Sequence, residues 1–135
     1  EKNWGAWTLD FRPDFTAAES GLDTFINWNK EFVGKKTAQD EKKNGVKKKL
    51  VTMTIDTKDI DVTNDEAILK DNKCVGYITS GGYAHHVKKS IALGYVPTEL
   101  SKHDTTLDVE INGQLYAARV TTKPLYDSNG GKMRT

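Results

Sequence analysis

From Lys47 onward the chain alternates apolar and polar residues with a period of two. Val51, Met53 and Ile55 are separated by Thr52 and Thr54, the pattern of a strand buried on one face. Ala67–Leu69 and Cys74–Thr79 flank Asp71-Asn72-Lys73, which reads as a hairpin loop, and Ile91, Leu93 and Tyr95 form another alternating set. Leu107 to Ile111 and Gln114 to Thr121 enclose Asn112-Gly113, a pair that favours a type I′ turn. Pro97 and Pro124 fall at strand ends, where a missing N–H does no harm. At least five strands with no strong helix between them predict an antiparallel sandwich or barrel.

Residues 1–45 have a different texture. They hold all three tryptophans and read as aromatic-rich coil followed by helices. Thr16-Ala17-Ala18-Glu19 is a capping box, and Leu22, Phe25 and Ile26 follow at helical spacing, so a helix is expected there. Gly21 weakens it by about 1 kcal/mol relative to Ala. A second helix is expected from about Thr37 to Asn44-Gly45, where the glycine can take a left-handed cap. The fold class is therefore mainly β, α+β overall, with the break near residue 45.

Composition narrows the partners. Twenty Lys and Arg against 19 Asp and Glu leave a net charge of +1, which demands neither nucleic acid nor membrane. The lysines are uneven: seven fall in residues 35–49 beside Asp40 and Glu41, without the arginines and aromatics of a nucleic-acid surface, so a solvated face is expected. No apolar stretch is long enough to span a bilayer as a helix. The start lacks Met and any signal pattern, and the chain is expected to be a piece of a longer polypeptide. A single cysteine, Cys74, suits a reducing compartment, so a cytoplasmic location is expected.

Self-contained chemistry is sparse, and neither a catalytic nor a metal-ligating residue is assigned. His85 and His86 are adjacent and would face opposite sides of a strand, and His103 lies in a polar turn with no ligand at metal spacing. Gly34-Lys35-Lys36-Thr37 lacks the leading glycine and preceding strand of a phosphate loop. Ser80-Gly81-Gly82-Tyr83, read as a segment between two strands, is a tight turn, a close approach of another backbone, or a loop closing over a ligand held next door.

Several strings taken together resemble the C-terminal part of the folate-dependent aminomethyltransferase (glycine-cleavage T-protein) family. They are Glu1-Lys2 with Ala6-Trp7, Asp14-Phe15-Thr16 with Glu19-x-Gly21-Leu22, and Lys30-Glu31-Phe32-Val33-Gly34-Lys35. Val75 to Tyr83, Lys89 to Pro97 and Lys123-Pro124-Leu125-Tyr126-Asp127 complete the set, in order along the full length. The opening and the Gly-Gly-Tyr segment are more similar to the dimethylglycine/sarcosine dehydrogenase branch than to the plain T-protein. Thr8 departs from the pattern, standing where the family carries glycine after the aromatic.

The resemblance implies a jelly-roll-like β barrel over residues 46–135, with residues 1–45 as the tail of an upstream folate-binding domain. It implies tetrahydrofolate shared with upstream domains and, in the dehydrogenase branch, FAD in a further N-terminal domain that oxidises a small N-methyl amine. Glu1 matches the carboxylate that grips the pterin edge in bidentate fashion. Lys30 matches a basic position near the ligand, and Trp7 an aromatic one. The family's catalytic aspartate has no match here, so the piece alone is expected to be inactive. The competing readings are a non-catalytic scaffold domain of the same fold, a plain aminomethyltransferase, or a demethylase. Cutting such a barrel from its neighbours is expected to expose apolar surface, with Trp4, Trp7 and Trp28 as candidates, and to drive self-association.

Overall fold

The computed structural model describes residues 1–134. Six strands form a closed antiparallel barrel in the order β1-β4-β3-β2-β5-β6, with β6 returning to β1. They are β1 (Lys48–Ile55), β2 (Ala67–Lys70), β3 (Lys73–Ala84), β4 (Lys89–Pro97), β5 (Thr106–Ile111) and β6 (Gln114–Thr121). Strands β2, β3 and β4 meander, and β1 lies beside β4, which makes a Greek key. Met53, Ile68, Ile78, Val96, Val109 and Val120 point inside, each fully buried. The alternating set Ile91, Leu93 and Tyr95 lies instead on the outer face of β4, because Ser90, Ala92 and Val96 take the inner one, and Tyr95 is covered there by the leading segment.

Both tight hairpins have the turn their residues dictate. Asn112 and Gly113 take φ of 49° and 76°, and Asp71 and Asn72 take 51° and 60°, the pair of positive values a type I′ turn needs. The second loop is thus two residues long, and Lys73 already belongs to β3.

Strand β3 also runs through Ser80-Gly81-Gly82-Tyr83, which therefore is not a segment between strands; the reversal into β4 comes at residues 85–88. The reason for Gly81 is close approach. A Cβ there would lie 2.7 Å from Val62 Cγ1 and 2.8 Å from the Val62 carbonyl oxygen, so the β1–β2 connection packs onto bare backbone.

The helix expected after Thr16 is cut to one turn. The capping box forms, with Glu19 N–H donating to Thr16 Oγ1 (3.2 Å) and Thr16 N–H to Glu19 Oε2 (3.1 Å). Gly21 then turns left-handed at φ 70°, and Leu22 N–H closes onto the Ala17 carbonyl at 2.7 Å in a Schellman arrangement. Only a 3-10 turn, Asp23–Phe25, follows. Helix α1 (Lys35–Asn44) starts two residues earlier than expected and stops where the sequence indicated, with Gly45 N–H donating to the Glu41 carbonyl at 2.8 Å. It buries no residue, and Lys36, Lys42 and Lys43 are exposed as the solvated-face reading expects, while Lys35 is half-buried and pairs with Glu31 at 2.8 Å.

Candidate functional site

Residues 1–22 lie against the outer face of β3 and β4, and one carboxylate docks them. Asp10 is 1% exposed, and its side chain accepts hydrogen bonds from the Ala6 N–H (2.7 Å), from Thr79 Oγ1 and from Ser80 Oγ (2.8 Å). Adjacent side chains on a regular strand point to opposite faces. Thr79 and Ser80 can meet one carboxylate because the β3–β4 register shifts between Ile78 and Ser80, a bulge that re-aims them.

The Asp10 carbonyl accepts from the Tyr95 hydroxyl at 2.9 Å, and Ser20 Oγ donates to Tyr95 at 2.8 Å. Burial pushes the Tyr95 phenol above its ordinary value, which keeps it a donor. Phe15 stacks on the Tyr95 ring at 3.5 Å, and Arg12 donates to the Tyr77 hydroxyl at 2.6 Å. Sequence reasoning missed Asp10; its one trace there is an acidic residue wedged between Leu9 and Phe11.

Thr8 sits in the turn that Asp10 closes. Its φ is 71°, and the turn is held by Asp10 N–H to the Ala6 carbonyl at 2.9 Å and Thr8 N–H to the Phe11 carbonyl at 3.2 Å. A β-branched residue costs about 1–2 kcal/mol in that conformation, so the departure from glycine strains the turn without removing it.

Glu1 reaches the β3–β4 turn. Its Oε1 accepts the backbone N–H of His86 at 2.7 Å and of Val87 at 3.3 Å, while Oε2 lies 4.0 Å from His86 Nδ1. Partial burial raises the Glu1 carboxyl, but the two N–H groups and the His86 ring more than offset this and hold it below its ordinary value. The same clasp includes the far end of the chain. Tyr126 N–H donates to the Glu1 carbonyl at 3.2 Å, Lys2 pairs with Asp127, and the His86 ring stands edge-on to Tyr126 at 4.4 Å. The Lys2 ammonium holds the Asp127 carboxyl below the usual carboxylate range.

Beside Glu1 the segment Ser80–His85 lines an open recess of about 330 Å³. Trp7 and Lys30 do not line it. Trp7 is 78% exposed and touches Phe11 edge-on at 5.8 Å, and Lys30 is exposed in the irregular stretch before α1. The three residues are thus not gathered into one pocket. For a folate the fit is partial: Glu1 has one oxygen engaged by the turn and one facing only an imidazole, so the recess offers an edge of a binding site rather than an enclosure.

A second groove, about 630 Å³, runs between Trp4, Phe11, Leu22 and Phe25 on the outside of β1. Trp4 is 72% and Phe25 82% exposed. Trp28, expected among the exposed aromatics, is instead half-buried, with Phe32 at 6.4 Å and the Lys42 ammonium 4.6 Å over its ring.

Comparison with known proteins agrees with this architecture. The glycine cleavage T-protein C-terminal barrel domain matches residues 48–127. The human mitochondrial dimethylglycine dehydrogenase is 38% identical over 93% of this chain, and the chain spans 15% of that relative's length. An aminomethyltransferase of Synechocystis is 35% identical over 95% of the chain, which spans 35% of it. The crystal structure of the glycine cleavage system aminomethyltransferase T from Bartonella henselae superposes with a TM-score of 0.81, at 22% identity over 89% of this chain and 34% of that one, and so shares the fold. With a closed six-stranded barrel where the family model places its domain, the chain belongs to the glycine cleavage T-protein C-terminal barrel family.

Proposed function

We propose that this chain is the C-terminal barrel of a folate-dependent enzyme of N-methylglycine or glycine catabolism that passes a one-carbon unit to tetrahydrofolate. The observation that carries the proposal is the 38% identity to dimethylglycine dehydrogenase along 93% of the chain. In this reading the barrel supplies a wall: Glu1 offers a carboxylate oxygen to the pterin edge, and Ser80–His85 line the recess beside it. Lys30 and Trp7 join the site only when upstream domains of the same polypeptide approach. The reacting groups, the N-methyl amine pocket and the FAD belong to those domains, and the barrel alone transfers nothing. Among the described residues no helix is long and apolar enough to cross a membrane, and the exposed Cys74 suits a reducing compartment such as the cytosol.

The test is calorimetric titration of 5-formyltetrahydrofolate into this chain and into a longer polypeptide carrying the upstream domains. Binding by the longer protein, weakened by Glu1→Ala, is expected. Failure of both to bind, or formation of methylenetetrahydrofolate by this chain alone, would overturn the proposal.

The aromatic groove at Trp4 and Phe25 is, in the same reading, the seat of an upstream domain. Without that cover, two copies pair through it. Sedimentation should show a concentration-dependent dimer that Phe25→Ser abolishes; a strict monomer at high concentration counts against it.

A further inference from the structure

One end of the barrel is hollow in a way that the folate reading does not use. Here the interior layer includes Ile55, Ser90, Leu107 and Ala118, with Tyr83, in register with Ser90, at its edge. Ile55 is in register with both Ser90 and Ala118, and Leu107 with Ala118, so all four share the inner face. Two of the four are small, and the core stops short of the strand ends. The result is a cleft of about 690 Å³ in the barrel mouth.

The rim of this cleft is cationic. Lys58, Lys70, Lys88, Lys89 and Arg119 line it against Asp56, Asp71 and Asp108. Lys70 donates to the Thr106 carbonyl at 3.1 Å, and Arg119 lies 3.6 Å from Asp104 outside the lining. The side chains of Lys58, Lys88 and Lys89 have no ion-pair or hydrogen-bond partner among the described residues. At the floor, Ser90 lines the cleft; the residue is 2% exposed, and its hydroxyl, closed off from solvent, has no hydrogen-bond partner. A buried hydroxyl without a partner is costly, and a charged acceptor would satisfy it.

We infer that the barrel mouth binds a compact multivalent anion, a phosphate ester or polycarboxylate, with Ser90 donating from the floor and Lys58, Lys88 and Lys89 neutralising it from the rim. Lysine suits this role as a mobile point charge that follows a small anion. Five cations against three carboxylates leave an excess of two positive charges on the rim, which a dianion matches better than a single negative charge does. The three rim carboxylates set the opposite limit, since they repel an anion large enough to fill the whole mouth.

Calorimetric titration of pyrophosphate and of citrate into the chain at low ionic strength tests this. Saturable binding of one molecule is expected. A preference for pyrophosphate identifies the phosphate class, and a preference for citrate the carboxylate class. The Lys58→Ser/Lys89→Ser double variant should weaken binding on the order of tenfold, as expected for losing two close charges. Ser90→Ala should also weaken it, with far-UV circular dichroism confirming that the barrel is intact. The charge-matched control Lys36→Ser/Lys43→Ser, on α1, should bind as the parent does. Absence of saturable binding, unchanged affinity in the mouth variants, or an equal loss in the control would overturn the inference.

Discussion

Asp10→Ala should cost the chain about 3 kcal/mol, because it strips a buried carboxylate from three donors and leaves them facing a hole. Domains of this size are stable by only about 5–15 kcal/mol, so the loss is a large share of the total. It should also be uneven. Asp10 joins the leading segment to β3 but takes no part in the barrel's own ladder, so that segment should release first. In a Trp28→Phe background, urea melts followed by tryptophan fluorescence, which then reports on Trp4 and Trp7, should precede melts followed by far-UV circular dichroism. Asp10→Asn keeps an acceptor and the side-chain volume and should fall between parent and alanine variant. Coincident melts with less than about 1 kcal/mol of destabilisation would show that Asp10 is not the dock.

Gly76→Ala should be worse still. A Cβ at Gly76 would lie 1.9 Å from the Tyr95 carbonyl oxygen, and that oxygen is backbone, so no rotamer change relieves the clash. Strands β3 and β4 would have to part where they carry the barrel wall, an overpacking cost of about 3 kcal/mol or more. Gly113→Ala is the informative comparison. Nothing lies within 4 Å of its missing Cβ, but its φ is +76°, so the cost is local strain of about 1 kcal/mol. Denaturant midpoints for the two variants should differ clearly; equal values would mean that the strands shift freely at Gly76.

These two positions mark what could and could not be read in advance. Alternation at Val51-Met53-Ile55 and the Asn112-Gly113 turn are local signals, and each became the element it implied because strand period and turn chemistry need only near neighbours. The capping box at Thr16 was equally legible, yet the helix it opened lasted one turn. Gly21 ended it, and the chain was needed at Tyr95 instead, where Phe15 stacks. Ser80-Gly81-Gly82 looked like a loop because glycine usually breaks strands. It is strand because Val62, far away in sequence, needs the space a side chain would fill.

The candidate site was less legible for the same reason. Asp10 meets partners some 70 residues distant, and it does so only through a bulge that no sequence period announces. Glu1 was found by resemblance, and its engagement with the turn at His86 and Val87 depends on where the first residue lies across the finished barrel. Lys30 and Trp7 matched positions in a family pattern, but both are exposed in this chain, Trp7 with an edge contact to Phe11.

An open sheet ends in two rows of unsatisfied N–H and C=O groups, and such edges template the addition of further strands. Because β6 returns to β1 here, no strand keeps a whole side free. Copies of the chain are therefore expected to meet through side chains such as Trp4 and Phe25 rather than along a whole strand edge. Contacts of that kind saturate once two faces are covered and yield to one polar substitution, whereas strand-on-strand growth has no natural end. At high concentration the chain should accumulate as discrete pairs and stay clear of fibres.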